Sequence, residues 1–232
     1  MFESGAGIVN RWRRLRLTAG RRLSRWLAAT LFPPQCCLCG FPGASLDLDL
    51  CAHCHAALPW DPANGEVITA LLYEHPVDDM IRRLKYQGAI AHARVFGVLL
   101  AEKVRLKGGP LPSLLVPVPL HPARFRERGF NQAAAIARYT GRMLDIPVAH
   151  HVVRRLRDTP SQTALGSAER ASNLHAAFGV RGARARQHLV DMGHVAIVDD
   201  VCTTGSTLAE LRRALQSAGV SRVDRWAVAR VP

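Results

Sequence analysis

An α/β fold is predicted, built on a parallel, doubly wound sheet flanked by helices, with a small cysteine-bearing module in front of it. Three observations predict it. From residue 114 onward, short apolar runs alternate with segments of helical periodicity, the pattern of strands joined by crossover helices. One of those runs, residues 195–198, ends in two adjacent carboxylates, Asp199 and Asp200, and then a loop of small hydroxyl residues with one glycine. Sheets of this kind bind ligands outside the carboxyl ends of their strands, where this acid pair falls. Finally, two C-x-x-C pairs, Cys36/Cys39 and Cys51/Cys54, stand close together ahead of the alternating region.

The chain has 232 residues, 48% of them hydrophobic and 21% charged. That is enough apolar material for one sizeable core and a smaller appendage, and it excludes a disordered polar chain. No apolar run approaches the ~18 residues that a membrane-spanning helix needs, so no transmembrane segment is expected. Arginines recur through the first apolar stretch, which therefore does not read as a secretion signal; the cytoplasm is the expected compartment. Lys and Arg number 31 against 18 Asp and Glu, a formal net charge of +13. Such an excess favours polyanionic partners: nucleic acid, an anionic membrane surface or phosphorylated substrates. The plain alternative is a solvated, arginine-rich surface.

Residues 8–31 put Trp12, Leu15, Ala19, Leu23, Trp26 and Leu27 at helical spacing, with the arginines mostly off that stripe. This helix is either a nucleic-acid or membrane-surface element or a cap whose stripe packs on the body of the protein. Pro33-Pro34 ends it. The cysteine module runs to residue 59, and 60–65 reads as a linker. Helices are predicted over 76–85, with Met80, Ile81 and Leu84 as the apolar face, and over 91–104, which stops before Gly108-Gly109-Pro110. Strands over 114–118, 148–153, 195–198 and 223–229 alternate with helices over 132–144 and 207–218. Residues 159–178 form a polar stretch without clear periodicity.

Without a secretion signal, the paired cysteines read as a metal site rather than a disulfide framework. Cys36, Cys39, Cys51 and Cys54 supply four thiolates, enough to close a tetrahedral, structural Zn2+ site. An iron–sulfur cluster, a redox pair and an empty site are the alternatives. Cys37, His53 and His55 stand near enough to replace the fourth ligand. Cys202 is a small filler or a thiol activated by the following helix N-terminus.

The chemistry-bearing segments are three. Asp199 and Asp200 can grip vicinal hydroxyls, and the backbone N–H groups and hydroxyls of Thr203, Thr204, Gly205, Ser206 and Thr207 can cradle a phosphate at a helix start. Together they fit a ribose 5-phosphate; the alternative is an acidic turn before an ordinary helix cap. Over 116–132 a strand ends in prolines, and His121, Arg124, Arg126 and Arg128 lead to a helix opening near Asn131. That block is a diphosphate site or a solvated basic loop. Lys85, read alone, is an exposed cation at a helix end. Gln162, Leu165, Arg170 and Asn173 punctuate the irregular stretch, and segments of that kind are lids or disordered tracts.

The segment VAIVDDVCTTGST (195–207) resembles the signature of type I phosphoribosyltransferases. The double C-x-x-C module, L-K-Y-x-G, P-V-P-L…R-G-F-N-Q, Q-x-x-L…R-x-x-N and D-D-V-x-T-T-G-S-T follow one another in the order found in the ComF family of competence-associated proteins, with its GntX-like members. From about residue 32 to its C-terminus the chain resembles that family. The resemblance implies a zinc-ribbon-like module over 32–60 and a phosphoribosyltransferase-like domain over 61–232, behind the basic helix of 1–31.

It implies further that phosphoribosyl pyrophosphate binds with Mg2+ and that ribose 5-phosphate is transferred or exchanged, with links to DNA uptake or nucleotide salvage. Asp199 and Asp200 then hold the ribose hydroxyls, and residues 203–207 wrap the 5-phosphate. Arg124 and Arg128 hold the departing diphosphate, Arg128 being counted with the catalytic acids. Lys85, Gln162 and Arg170 join the substrate contacts, and a loop around 159–173 closes to exclude water. The acceptor base or nucleotide is left unidentified. Single-stranded DNA and DNA-processing proteins are candidate partners. The competing expectation is a zinc-dependent single-stranded DNA-binding accessory protein whose phosphoribosyl pyrophosphate site is a sensor or a remnant.

Overall fold

The computed structural model describes residues 35–43, 48–63, 65–156 and 177–232. The helix expected over 1–31, the loop around 159–173, Gln162 and Arg170 lie outside the described residues. The chain divides into two compact units, Met1–Ala56 and Ala57–Pro232. Among the described residues no helix is long and apolar enough to cross a membrane.

In the first unit, Gln35 bridges Pro42 in antiparallel fashion, and Cys36 N–H donates to Phe41 O at 2.7 Å. A tight turn returns through Gly40, whose N–H donates to Cys36 O at 2.9 Å. The second cysteine pair is carried by α1 (Ala52–Ala56) and the residue before it, Cys51.

The second unit is built on a four-stranded, all-parallel sheet in the order β1-β6-β5-β2, with β1 Val67–Leu72, β2 Leu114–Pro117, β5 His194–Cys202 and β6 Arg222–Arg230. Its central strand explains the class. Val195, Ala196, Ile197 and Val198 are all fully buried, as a parallel strand covered on both faces must be, and alternation gives way to a continuous apolar run. Leu114, Val116, Val195, Ile197, Val223 and Ala227 share one core. On that face lie α6 (Gly182–Met192) through Leu189 and α7 (Ser206–Ser217) through Leu208, Leu211 and Leu215.

The alternate residues face the other way. Trp226 and Val104 line one small cavity, which puts α3 (Ile90–Lys107) on that face. There α3 packs against α5 (Gln132–Leu144). Gly97 permits the approach: a Cβ on it would lie 2.5 Å from that of Tyr139, closer than any side chain tolerates. Thr140 Oγ1 donates across the contact to Gly97 O at 3.1 Å.

Several elements differ from expectation. The stretch expected to be a linker anchors the sheet edge. Asp61, 1% exposed, accepts from Arg230 Nε and Nη2 at 2.7 and 3.0 Å, and also from Thr69 Oγ1. Burial would raise the Asp61 pKa, but the Arg230 and Thr69 hydrogen bonds outweigh it and hold the carboxyl below its ordinary value. Residues 148–153 are not a strand of the main sheet. Val148 makes one parallel bridge to Leu115, and the strand is β3 (Val153–Arg155), paired antiparallel with β4 (Phe178–Val180) in a separate two-stranded sheet. The expected basic loop contains a short helix, α4 (Pro122–Arg128), which begins with His121 as N-cap and proline at its first turn. The helices expected over 76–85, 91–104 and 207–218 are α2 (Val77–Tyr86), α3 and α7.

Candidate functional site

The strand β5 runs two residues past the acid pair, so Asp199 and Asp200 sit inside its carboxyl end rather than in the loop. Asp199 is in register with Ala227 of β6, which fixes its backbone. The Asp200 N–H donates to Asp199 Oδ1 at 2.9 Å. Lys85 arrives from α2 and sets its Nζ 3.0 Å from Asp200 Oδ2, the two side chains being 21% and 13% exposed. The lysine that reads alone as an exposed helix-end cation is thus a half-buried partner of the acid pair.

Two like charges in a buried place cannot both ionise freely. Burial first, and then the Asp200 charge, push the Asp199 carboxyl up to about 7, against the Asp200 N–H, Lys85 and Arg155, which pull it down. Burial works against the Lys85 ammonium, yet its contact with Asp200 and the nearby Asp199 hold its pKa above the ordinary lysine value.

The acids and Lys85 open on a cavity of about 470 Å³ that Arg124 and Arg128 also line, with Thr203 and Thr207 of the following loop. Arg124 and Arg128 are brought in by α4. The Asn131 side chain then caps α5, accepting from Ala134 N at 3.2 Å and donating to Val118 O at 2.9 Å, so the chain after β2 is pinned at both ends of the basic segment. Arg128 donates to Gln132 Oε1 at 3.2 Å and its guanidinium lies 5.4 Å from the Tyr86 ring centre. Its Nε is buried with no hydrogen-bond partner, a donor awaiting an acceptor.

Between β5 and α7 the loop turns on Gly205, which has φ 73° and sits at the helix start; a side chain there would be strained. Thr204 Oγ1 and Ser206 Oγ are 2.8 Å apart. The loop is a partition. Thr203 and Thr207 face the cavity with the acid pair. Thr204, Gly205 and Ser206 line a neighbouring cavity of about 480 Å³ with Arg225 and Arg230, and Thr203 lines both.

Asp199, Asp200, Lys85, Arg124, Arg128, Thr203 and Thr207 are therefore brought to one cavity, and Thr204, Gly205 and Ser206 to the far side of the loop. Arg155 was missed from sequence. It lines the same cavity from β3, with its guanidinium 5.6 Å from the Phe178 ring centre. Only the pairing of β3 with β4, across residues 157–176, brings it there. Asp78 and Arg82 were missed as well: they recur with Lys85 at helical spacing on α2 and line the cavity wall, a periodicity present in the sequence.

In the first unit the ligand atoms of Cys36, Cys39, Cys51 and Cys54 all lie within 4.8 Å of one another. Cys39 Sγ and Cys51 Sγ are 3.6 Å apart, far beyond a disulfide bond and close to the ~3.8 Å edge of a tetrahedron with Zn–S of ~2.3 Å. The Cys54 N–H points at Cys51 Sγ at 3.4 Å. Burial would raise the Cys36 thiol, but backbone N–H groups of Cys51, Cys39 and Leu38 bring it down to about 6, which favours a thiolate ligand. The four cysteines can hold a metal ion such as Zn2+. Cys37 stands apart from this set, its thiol pushed up to about 12 by burial and the charges of Cys36 and Asp49.

Fold and site together define an α/β protein with an acid-and-arginine cavity at the carboxyl ends of its parallel strands. The chain is 32% identical over 196 residues to Competence protein F of Haemophilus influenzae, covering 83% of this chain and 84% of that protein. It is 33% identical over 201 residues to DNA utilization protein YhgH of Escherichia coli, 84% and 83% of the two chains. It is 24% identical over 159 residues to Competence protein ComFC of Streptococcus pneumoniae, 68% and 65% of the two chains. The chain belongs to the ComF family of competence-associated proteins. No family model matches it. Among solved structures it is similar to a hypoxanthine phosphoribosyl transferase of Trypanosoma cruzi, with TM-score 0.35, 16% identity and coverage of 67% of this chain and 75% of that one. A likeness that loose carries no argument about this chain.

Proposed function

We propose that the protein is a phosphoribosyltransferase that binds phosphoribosyl pyrophosphate with Mg2+ and passes ribose 5-phosphate to a nitrogenous acceptor. The observation that carries this reading is the meeting of Asp199 and Asp200 with Lys85, Arg124 and Arg128 in one cavity beside Thr203 and Thr207. A ribose needs paired acceptors for vicinal hydroxyls, and a diphosphate needs several cations; both are present within one cavity.

In this reading the two carboxylates orient the sugar. Thr203 and Thr207, with the N–H groups at the start of α7, hold the 5-phosphate. Arg124 and Arg128 hold the diphosphate and stabilise the charge that builds on it as the bond breaks. The Arg128 Nε, buried and without a partner, gains an acceptor when that anion arrives. The oxygen donors of the cavity are the hard kind that Mg2+ takes; Mg2+ characteristically keeps several waters and binds through substrate phosphates, so its role here is to neutralise departing diphosphate charge. No side chain needs to act as a strong base; orientation and charge stabilisation account for the acceleration.

The measurement is diphosphate release from phosphoribosyl pyrophosphate across a panel of bases and nucleotides. Release by the native protein, abolished in the Asp199→Asn/Asp200→Asn variant, supports the reading. No release with any acceptor contradicts it.

A second reading, single-stranded DNA binding, is favoured by the net charge of +13 and by relatives named for competence and DNA utilization. It predicts DNA affinity that falls steeply with salt and survives the double Asp→Asn change. The two readings are compatible, since DNA binding can bring the enzyme to its acceptor. Both suit a protein of the cytoplasm.

A further inference from the structure

Two contacts locate the C-terminal end of α2, and one locates the chain just ahead of the helix. At its end, Tyr86 meets Arg128, on the helix that would hold the diphosphate. Next, Lys85 reaches Asp200 at the end of β5. Just before its start, the Tyr73 N–H donates to Arg230 O at 2.8 Å, tying that point to the end of β6, and Asp78 follows in the first helical turn. The lengths agree. Ten residues of helix span ~15 Å, and the three gaps between four strands span ~14 Å. Helix α2 therefore crosses the carboxyl ends of the strands from the β1 side to the β2 side.

The order under the helix is diphosphate segment, ribose grip, then Tyr73 and Asp78. Displacement at the anomeric carbon brings the acceptor in opposite the departing diphosphate. The acceptor nitrogen bonds that carbon, the C–O bond breaks with its electron pair leaving on diphosphate, and the proton of the substituted nitrogen passes to solvent. The acceptor therefore belongs at the end of the cavity lined by Tyr73, Asp78 and Val231.

Asp78 gives that end its chemistry. Its neighbour Asp79 pairs with Arg82 and stands 3.6 Å from His75. Among the described residues no cation stands at ion-pair distance from the Asp78 carboxylate, although the His75 ring and the Asp79 carboxylate come within 4.8 Å of it, and its Oδ1 has no hydrogen-bond partner. A carboxylate in that state attracts N–H donors and repels a second carboxylate. Tyr73 adds an aromatic surface beside it. We propose that Asp78 and Tyr73 select the acceptor, a planar nitrogen heterocycle that presents ring or amino N–H donors and carries no carboxylate. This rests on the phosphoribosyltransferase reading above.

The test compares two panels on the full chain, amino- or imino-bearing purines and pyrimidines against ring carboxylates such as orotate, nicotinate and anthranilate. Calorimetric affinity for phosphoribosyl pyrophosphate is measured alongside. The expected result is turnover confined to the first panel, with kcat/KM roughly tenfold to a hundredfold lower in Asp78→Asn and phosphoribosyl pyrophosphate affinity unchanged. If Asp78→Asn does not fold, the preference of the native protein between the panels decides. Turnover of a ring carboxylate, or an Asp78→Asn variant with unchanged kcat/KM, overturns the proposal and leaves the function standing, whereas no turnover with any acceptor overturns both even where phosphoribosyl pyrophosphate binding persists. Absence of that binding overturns both.

Discussion

Lys85 Nζ lies 3.0 Å from Asp200 Oδ2, joining a helix that precedes the sheet's second strand to the carboxyl end of its central strand. The contact neutralises one of two adjacent acids at the wall of the cavity with a protein cation. Two consequences can be measured on the free protein.

Removing that cation leaves the acid pair short of charge compensation. Lys85→Met is expected to cost roughly 2 kcal/mol at pH 8, less than a fully buried pair because both side chains keep some solvent. For a chain of this size that is a fall in Tm of about 4–8 °C. Adding Asp200→Asn to Lys85→Met should restore part of the loss, and thermal melts of the two single variants and the double variant measure the coupling. Additive losses would mean that the pair is not coupled.

Asp199 makes the opposite prediction for stability against pH. Its folded pKa of about 7 is raised above the ~3.9 of an unfolded aspartate, so the folded state binds more protons between those values. Stability therefore falls as pH rises from about 4 to 7, and is level above that. Asp199→Asn removes the penalty. Its Tm should exceed that of the native protein at pH 8 by several degrees, with the advantage fading towards pH 4. A constant difference at all pH values would contradict the buried-pair account.

How much of this was legible in the sequence depends on the range of the contacts. The run 195–207 carries strand, acids and loop within thirteen residues, and all of it is read locally. Arg155 could be placed only by tertiary structure, and Lys85 only by that or by the family resemblance, not by its own local sequence. Lysines at helix ends are ordinarily solvated, and Arg155 reaches the cavity because β3 pairs with β4 beyond a long intervening segment. Asp61 was lost in a stretch with linker composition, since its partner Arg230 is 169 residues away. The short helix α4 had local signals, a His121 cap and Pro122, that its run of arginines obscured. For α6 the signal was weak, because Leu189 alone is buried.

The cysteine geometry separates ligand from bystander. Purified protein should carry about one Zn2+ per chain by elemental analysis, held by four thiolates. Cys51→Ser should lower that content severalfold, whereas Cys37→Ser should leave it unchanged. Equal losses from both would show that Cys37 takes a place in the set.

The central claim is that the acid pair and the surrounding cations form a phosphoribosyl pyrophosphate site. Calorimetric titration of the full chain with phosphoribosyl pyrophosphate and Mg2+ tests it most directly, because it needs no acceptor. The account predicts saturable binding at one site per chain, weakened roughly tenfold or more by Asp199→Asn/Asp200→Asn and likewise by Arg128→Ala. No binding by the native protein, or binding that neither variant alters, would contradict it.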